Sequence, residues 1–361
     1  MTSKIVLALH IPPPIHGASM VGKKVCEIVT QSAHIDGLFA GLSASEKVSD
    51  FGSFSLRRTW NYLRVISNVI FLVIKNPTAK LYITPGFAGF ALLRDFLIVS
   101  VKKVVGGDVF VHCHSNEFSK TDNTIYRFMR SWIVTNSTLI VLSNWHKSQF
   151  STKIIAGAKF TYVLPNCVVD DFQWDSEHAT AASTEKRLLF LSNLMEKKGV
   201  MEVLQFALRC REQKKDYKFF FAGGWSDKYF KEICEDYIFS NNLQDTVLFY
   251  GQVSGSEKRN VLSAADVLLF PTRYEGEVFP LVILEAMKFG LSIVSRRHAS
   301  IPEMTSDEFS LLIEKTMCQE FEAVCEFIDS AHDRSLVAQR HYEEYFSEEK
   351  FRSKLIEILE S

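Results

Sequence analysis

The sequence predicts an α/β protein of two domains, each a parallel sheet with helices on both faces. Three observations lead to this prediction: the chain has 361 residues, more than one core usually holds; short β-branched runs alternate with helical segments; and the polar, turn-rich stretch 165–187 interrupts this alternation before it begins again. We therefore predict a first domain at 1–168, a linker at 169–186, a second domain at 187–345, and a C-terminal helix at 346–361 that could cross back to the first domain.

Apolar runs bounded by turn residues predict strands, and an apolar period near 3.6 residues predicts helices. In the first half the predicted strands are 5–9, 80–84, 108–112 and 138–142, and the predicted helices are 20–32, 59–74, 87–104 and 125–134. In the second half the predicted strands are 187–191, 217–222, 247–250, 266–270 and 291–295. The predicted helices there are 200–214, 227–241, 256–264, 281–289, 319–345 and 348–360. In sheets of this kind ligands bind beyond the carboxyl ends of the strands.

Composition limits the classes of protein to which the chain could belong. The 47% hydrophobic and 23% charged content is typical of a globular chain. No apolar run reaches the roughly 18–20 residues that span a bilayer, and the first residues do not resemble a signal peptide. The seven cysteines form no CxxC pair, which favours reduced thiols. We therefore expect a cytoplasmic protein.

The two halves of the chain carry opposite charge. Residues 1–168 hold 18 Lys and Arg against 8 Asp and Glu, whereas the remainder holds 23 against 34. The basic half could contact anionic lipid headgroups or phosphates, or it could simply be a basic domain. Nucleic acid is not an expected partner, because the lysines are dispersed and no nucleic-acid-binding module is recognised.

The stretch 270–290 is the most informative one. It runs from an apolar strand through a polar loop into a helix, with Pro280 at the helix start and Gly290 at its end. The N–H groups of such a helix start form an anion site. Two carboxylates, Glu277 before the helix and Glu285 inside it, could accept hydrogen bonds from the hydroxyls of a sugar or a ribose.

The segment Y-E-G-E-V-F-P-L-V-I-L-E-A-M-K-F-G-L-S-I-V-S (274–295) resembles the signature of the family-4 retaining glycosyltransferases. Other landmarks follow in the family's order: P-P-P-I-H-G-A-S-M (12–20), V-F-V-H-C-H-S (109–115), V-L-S-N-W-H-K (141–147), V-L-P-N-C-V-V-D-D-F (163–172), L-F-L-S-N-L-M-E-K-K-G-V (189–200), F-F-A-G-G (220–224) and I-P-E (301–303). The resemblance implies the GT-B fold, in which two Rossmann-like domains with parallel sheets face a central cleft.

The resemblance also implies roles for the residues around the helix start. Glu285 would bind the ribose of the nucleotide, and Glu277 would lie near the hydroxyls of the donor sugar. The backbone N–H groups around Phe279, Pro280 and Leu281 would face the phosphate and the sugar. Pro280 stands where the family usually has glycine, and a proline donates no hydrogen bond.

Other matching positions would complete the site. Lys198 would neutralise the diphosphate, Gly17 would let a loop approach the phosphates closely, and Gly223 matches a glycine after the next strand. We expect the backbone near Val253 to contact the base. His114 would face the reacting sugar and the acceptor.

Asn193 departs from the family, which often has arginine at this position. If one positive charge is thereby missing, Lys197, Arg296 or Arg297 could replace it.

The His112–Cys113–His114 run also raises the possibility of a metal site. On a strand the two histidines share a face, and no third or fourth ligand lies near them in sequence. We therefore expect no metal.

The predicted catalytic residues are thus His114, Glu277 and Lys198. The predicted donor-binding residues are Gly17, Asn193, Lys198, Gly223, Val253, Phe279, Pro280, Leu281 and Glu285.

We expect a retaining glycosyltransferase that moves a sugar from a UDP- or GDP-linked donor to a hydroxyl of a glycan or lipid-linked oligosaccharide. No metal or other cofactor is expected, and neither an Asp-x-Asp nor a G-x-G-x-x-G motif is present. The expected setting is the synthesis of a bacterial surface polysaccharide such as lipopolysaccharide, at the inner face of the cytoplasmic membrane, with peripheral contact to anionic lipid. Two alternatives stay open: a sugar-nucleotide epimerase of the same fold, and a non-catalytic partner subunit.

Overall fold

The computed structural model describes residues 3–13, 17–42, 56–119, 124–169 and 185–361 of the chain. The chain forms two compact units: Met1–Val169 together with Glu348–Ser361, and Asp170–Ser347. Most of the predicted linker, residues 170–184, lies outside the described residues, as do residues 14–16 of the predicted glycine loop.

The first unit is built on a parallel sheet of six strands. They are β1 (Ser3–Leu9), β2 (Ile35–Gly41), β3 (Lys80–Ile83), β4 (Val109–His112), β5 (Thr138–Val141) and β6 (Phe160–Val163). Their spatial order is β2-β1-β3-β4-β5-β6. Strands β4 and β5 are buried along their whole length, as expected for a parallel sheet that is covered on both faces.

The helices of this unit lie between the strands. They are α1 (Gly17–Gln31), α2 (Leu56–Lys75), α3 (Gly89–Val105), α4 (Thr124–Val134), α5 (Asn144–Ser148) and α6 (Thr152–Gly157). The chain moves from β1 to β2 in one direction and from β2 onward in the other. Right-handed crossovers therefore place α1 on one face of the sheet and α2, α3 and α4 on the opposite face. On that face α2 packs against α3, and α3 against α4.

The second unit repeats this architecture. Its parallel strands are β7 (Lys186–Leu191), β8 (Tyr217–Ala222), β9 (Val247–Gly251), β10 (Val267–Phe270), β11 (Ser292–Arg296) and β12 (Ser310–Ile313), in the spatial order β12-β11-β10-β7-β8-β9. Its helices are α7 (Val200–Glu212), α8 (Lys228–Ser240), α9 (Gly255–Ser263), α10 (Leu281–Lys288), α11 (Ile301–Met304), α12 (Phe321–Asp329) and α13 (Ser335–Tyr345). The predicted fold class, parallel sheets covered by helices in two units, is confirmed.

The last helix, α14 (Glu348–Glu360), is part of the first unit. Lys24 of α1 is 5% exposed, and its ammonium lies 3.0 Å from a carboxylate oxygen of Glu348. The ammonium of Lys80 donates to the carbonyl of Leu359 at 2.5 Å. Polar contacts at both ends of α14 therefore hold it to this unit.

The structure differs from the predicted elements in two ways. The predicted helix 319–345 is broken into α12 and α13, because the chain leaves helical geometry at Ser330 and forms a short 3-10 turn, Ala331–Arg334. Strands β2, β6 and β12 were not predicted.

The charged pair that interrupts the apolar sequence of α3 is buried. Arg94 is 2% and Asp95 0% exposed, and the guanidinium Nε lies 2.7 Å from the carboxylate. Arg94 also donates to the carbonyl of Leu42, and the N–H of Gly86 donates to Asp95. Burial raises the pKa of Asp95, while the neighbouring guanidinium opposes that rise. The pair ties α3 to the ends of two strands.

Among the described helices, none has the length and hydropathy needed to cross a bilayer.

Candidate functional site

The second sheet reverses its strand order beside β7. The chain proceeds from β7 outward to β9 on one side, and then returns to β10 on the other side of β7. Connections that leave adjacent strands in opposite directions open a crevice at the carboxyl ends of the strands, where α/β proteins bind ligands. The loop after β7 carries Lys198, and the loop after β10 carries Glu277.

Lys198 and Glu277 meet at this switch point. The ammonium of Lys198 donates to a carboxylate oxygen of Glu277, and each side chain is 12% exposed. The same ammonium lies 5.3 Å from the ring centre of Phe270 and 5.0 Å from that of Tyr274, within the range of cation–π attraction. The structure thus brings together two of the three predicted catalytic residues.

The two loops are also joined through their backbones. Gly199 has φ = 95°, and a Cβ there would lie 2.8 Å from the carbonyl oxygen of Pro271. The N–H of Arg273 donates to the carbonyl of Lys197 at 2.8 Å. Glycine at 199 is therefore what lets the loops approach closely enough for the Lys198–Glu277 pair to form.

Helix α10 begins immediately after this loop. Pro280 is its N-cap with φ = −68°, and no side chain caps the helix start. Phe279 is buried, and Leu281 is the first helical residue. The first-turn N–H groups of a helix lack intrahelical partners, so the start of α10 is suited to an anion.

Glu285 lies in the second turn of α10 and is only 7% exposed. Its carboxylate lies 2.5 Å from the ammonium of Lys258, which α9 supplies. A buried carboxylate that contacts a cationic partner is held in one orientation. Glu285 is therefore not an ordinary solvated helix residue.

The remaining predicted donor-binding positions lie in the neighbouring loops. Gly223 follows β8 with φ = 147°, and a Cβ there would lie 1.8 Å from the carbonyl oxygen of Ser192. Any side chain at 223 would therefore push away the loop that holds Asn193, which is exposed. Val253 follows β9 and is half-buried.

The three cations considered as replacements near Asn193 are all paired. Lys197 lies 3.7 Å from Glu275, and Arg297 lies 2.9 Å from Glu314, both on exposed side chains. Arg296 is 8% exposed and donates to both carboxylate oxygens of Glu202, at 2.7 and 2.8 Å. Arg296 thus has a structural partner, whereas the exposed pairs of Lys197 and Arg297 contribute little and can exchange.

In the first unit the histidines lie at the carboxyl end of β4. His112 is fully buried, and its Nδ1 lies 2.5 Å from the hydroxyl of Tyr82. His114 follows the strand, is half-buried, and has its ring centre 4.1 Å from that of His112. Burial, together with the nearby imidazoles of His114 and His146, holds the pKa of His112 well below its ordinary value. Among the described residues, no group of His, Cys, Asp and Glu could hold a metal ion.

His146 fixes the loop that follows His114. It is fully buried, its Nδ1 accepts from the N–H of Leu142, and its Nε2 lies 3.2 Å from the carbonyl of Ser115. Since Nδ1 accepts, the neutral ring carries its proton on Nε2 and donates it to that carbonyl. Burial lowers the pKa of His146 to about 4.

The first unit should therefore lose stability in acid. Between pH 6.5 and 4 the unfolded chain binds a proton at His146 that the folded chain does not. The stabilisation is complete above about pH 6.5 and decreases as the pH falls to about 4, by about 3 kcal/mol. We expect melting curves of His146→Gln, measured over this range, to depend less on pH than those of the wild type. Replacing the exposed His34 of the same unit by Gln is the matched control. Parallel pH dependence of His146→Gln and the wild type would contradict the assignment.

Gly17 is exposed and is the first residue of α1. It follows β1 as predicted, but residues 14–16 immediately before it lie outside the described residues. Gly17 and His114 belong to the first unit, and the other predicted site residues belong to the second.

Sequence reasoning did not single out Lys258, Glu202 or Tyr82. One sequence feature could have indicated Lys258, which lies in the first residues of α9. A cation there is repelled by the positive end of the helix dipole, so its presence predicts a nearby acid. Glu202 and Tyr82 gave no comparable signal, because their partners are distant in sequence.

Residues 172–337 match the family model for glycosyl transferases group 1. The amylovoran biosynthesis glycosyltransferase AmsK of Erwinia amylovora is 29% identical over 129 residues, which cover 34% of this chain and 31% of that protein. The chain is a glycosyltransferase with a group 1 domain.

Another relative of this glycosyltransferase matches along more of its length. It is an uncharacterised 41.2 kDa protein from the cps region of Klebsiella pneumoniae, 22% identical over 310 residues, which cover 81% of this chain and 83% of that protein.

Solved structures confirm the predicted GT-B fold. Sucrose-phosphate synthase from Thermosynechococcus elongatus superposes with a TM-score of 0.74 and 14% identity, over 99% of this glycosyltransferase and 98% of that chain. HepE from Anabaena, solved in complex with UDP-glucose, gives a TM-score of 0.66 and 13% identity over 99% of both chains.

Proposed function

We propose that this glycosyltransferase moves a sugar from a nucleotide diphosphate to an acceptor hydroxyl and retains the anomeric configuration. The observation that carries the proposal is the Lys198–Glu277 pair at the switch point of the second sheet. The pair supports the proposal because an ammonium suited to a phosphate lies next to a carboxylate that could accept hydrogen bonds from sugar hydroxyls. The complex of HepE with UDP-glucose supports a donor of this class.

The charges that develop in the reaction suit these residues. As the bond from the anomeric carbon to the diphosphate oxygen breaks, negative charge grows on the diphosphate. Lys198 and the start of α10 would stabilise that charge, so the proposed reaction needs no metal ion. The diphosphate would replace Glu277 as the partner of the ammonium, which leaves the Glu277 carboxylate to accept hydrogen bonds from the sugar.

Retention follows if the new bond forms on the face that the diphosphate leaves. The acceptor oxygen bonds to the anomeric carbon, and its proton passes to the departing diphosphate oxygen. No carboxylate nucleophile is required by this route. Glu285 would bind the ribose, and its contact with Lys258 supports this role because it fixes the orientation of the carboxylate.

The setting that we propose is the synthesis of a bacterial surface polysaccharide on a lipid-linked acceptor. AmsK is named for amylovoran biosynthesis, and the Klebsiella relative comes from a cps region. We assign the acceptor to the basic first unit, where His114 would act, and a UDP- or GDP-linked donor to the second. The comparisons do not favour an epimerase or a non-catalytic subunit.

The test is to incubate the protein with a panel of nucleotide-sugars, with and without bacterial membrane lipid extract. Release of nucleoside diphosphate that depends on the extract, together with transfer of labelled sugar to lipid, is the expected result. Conversion of a nucleotide-sugar without acceptor would show an epimerase. Stabilisation by a nucleotide-sugar without turnover under any condition would show a binding subunit.

A further inference from the structure

The helices α2, α3 and α4 expose large apolar side chains on the side that faces away from their sheet. Each helix carries a stripe with spacings that bring its members onto one face. The exposed members are Trp60, Leu63, Phe71 and Ile74 of α2, Phe90, Leu93, Leu97 and Val104 of α3, and Ile125, Phe128 and Trp132 of α4. We call this surface the α2–α4 face.

Such stripes reverse the usual pattern, in which the outer face of a surface helix is polar. The α2–α4 face carries 11 of the 21 large apolar residues that are exposed in the described part of the chain. Several of these side chains are mostly exposed to solvent: Trp60 is 70%, Phe90 68% and Ile125 65% exposed. Contiguous apolar surface of this extent on one side of a unit marks an interaction site.

The charges on the same helices are of one sign. The three helices contain a single acid, Asp95, which is fully buried against Arg94. Among the side chains of these helices that the structure describes, the exposed charged ones are all basic: Arg64 and Lys75 on α2, and Arg127 on α4. Apolar stripes with basic neighbours and no exposed acid favour a surface that is both apolar and anionic.

The aromatic residues of this face are held in place. The indole N–H of Trp132 donates to the hydroxyl of Ser100 at 3.0 Å, and the ammonium of Lys103 lies 5.1 Å from its ring centre. The ring centre of Phe128 lies 6.2 Å from that of Trp132. Tryptophan and other amphipathic side chains are enriched where a protein contacts the boundary between lipid headgroups and acyl chains.

We propose that the α2–α4 face binds the surface of an anionic lipid bilayer. The apolar stripes would enter the headgroup boundary, and Arg64, Lys75 and Arg127 would contact anionic headgroups. Self-association is less suited to this face, because a two-fold contact would bring its basic residues against one another. The inference does not depend on the proposed sugar transfer.

Co-sedimentation with vesicles of phosphatidylcholine, alone or mixed with phosphatidylglycerol, tests the proposal. We expect the partition coefficient to be at least about tenfold higher for the anionic vesicles, and to fall in about 0.5 M salt. The triple variant Trp60→Ser, Phe71→Ser and Phe128→Ser should lower it at least about tenfold. Reversing Arg64 and Arg127 to Glu should remove the preference for the anionic vesicles.

The second unit offers a matched control. Helix α8 exposes Tyr229, Ile233 and Phe239, but it also carries three acids. Replacing these three apolar residues by Ser should leave vesicle binding unchanged. Because all six substituted side chains are exposed, melting temperatures close to that of the wild type are expected and should be verified.

Three outcomes would overturn the proposal. One is equal vesicle binding by the wild type and the α2–α4 triple variant. Another is binding that is the same for neutral and anionic vesicles. The third is a concentration-dependent dimer that the triple variant abolishes without vesicle binding in the wild type, which would make a second copy of the chain the occupant of this face.

Discussion

Glu285→Gln is expected to lower kcat/KM for the nucleotide-sugar by about ten- to a hundredfold. A charged carboxylate that accepts hydrogen bonds from vicinal hydroxyls contributes about 1.5–3 kcal/mol, and glutamine keeps the shape but loses the charge. At 1.4 kcal/mol per factor of ten, this range corresponds to one to two orders of magnitude. Isothermal titration with the nucleoside diphosphate should show a matching loss of affinity, because the ribose belongs to the nucleotide rather than to the sugar.

The control for this prediction is Glu257→Gln, on the exposed surface of the neighbouring helix α9. It removes the same charge from the same unit and should leave both measurements within about threefold. Lys258→Met tests the orientation of the Glu285 carboxylate separately from its contact with the ribose. It leaves the carboxylate of Glu285 in place but removes its 2.5 Å partner, so an intermediate loss is expected. Unchanged affinity and kinetics in Glu285→Gln would rule out Glu285 as the ribose ligand.

The sequence allows most of the fold to be predicted, because the inner strands of parallel sheets are continuous apolar runs. The three strands that were not predicted, β2, β6 and β12, all lie at sheet edges. An edge strand has one neighbour and less cover, so its sequence carries a weaker apolar signal: β2 contains two glycines and an aspartate, and Phe39 in it is 48% exposed. The interruption between α12 and α13 likewise has no proline or glycine to announce it.

The candidate site could likewise be predicted only in part. Residues that a local pattern indicates, such as Glu277, Pro280 and Glu285 around one helix start, could be selected before the structure. The side chains that they contact could not be predicted. Glu285 and Lys258 are 27 positions apart, and Glu277 and Lys198 are 79 apart. Ion pairs at such separations arise from the order of the strands, which a single sequence does not specify.

Lys198→Met is expected to lower kcat by about two to three orders of magnitude and to change KM little. The ammonium would act on charge that grows on the departing diphosphate, and an interaction made in the transition state affects kcat. Removing one preorganised charge or donor of this kind costs about 2.7–4 kcal/mol. The measurement is steady-state release of nucleoside diphosphate. Lys228→Met, on α8 of the same unit, is the matched control: its side chain is 90% exposed and pairs with an exposed acid, so less than about a threefold change is expected.

A structural role for Lys198 makes a different prediction. Losing the lysine leaves Glu277 as a largely buried carboxylate without its partner, which alone could disturb the loop. Adding Glu277→Gln to Lys198→Met removes that stranded charge, so the double variant should regain the melting temperature of the wild type. Glu277 is itself a predicted catalytic residue, so kcat of the double variant is compared with that of Glu277→Gln alone. If Lys198 stabilises the leaving group, kcat is lower in the double variant than in Glu277→Gln, and Lys198→Arg, which keeps the charge, recovers part of the loss caused by Lys198→Met. Equal kcat in the double variant and in Glu277→Gln would instead mean that the lysine only holds Glu277, and the positive charge at the switch point would have no part in the chemistry.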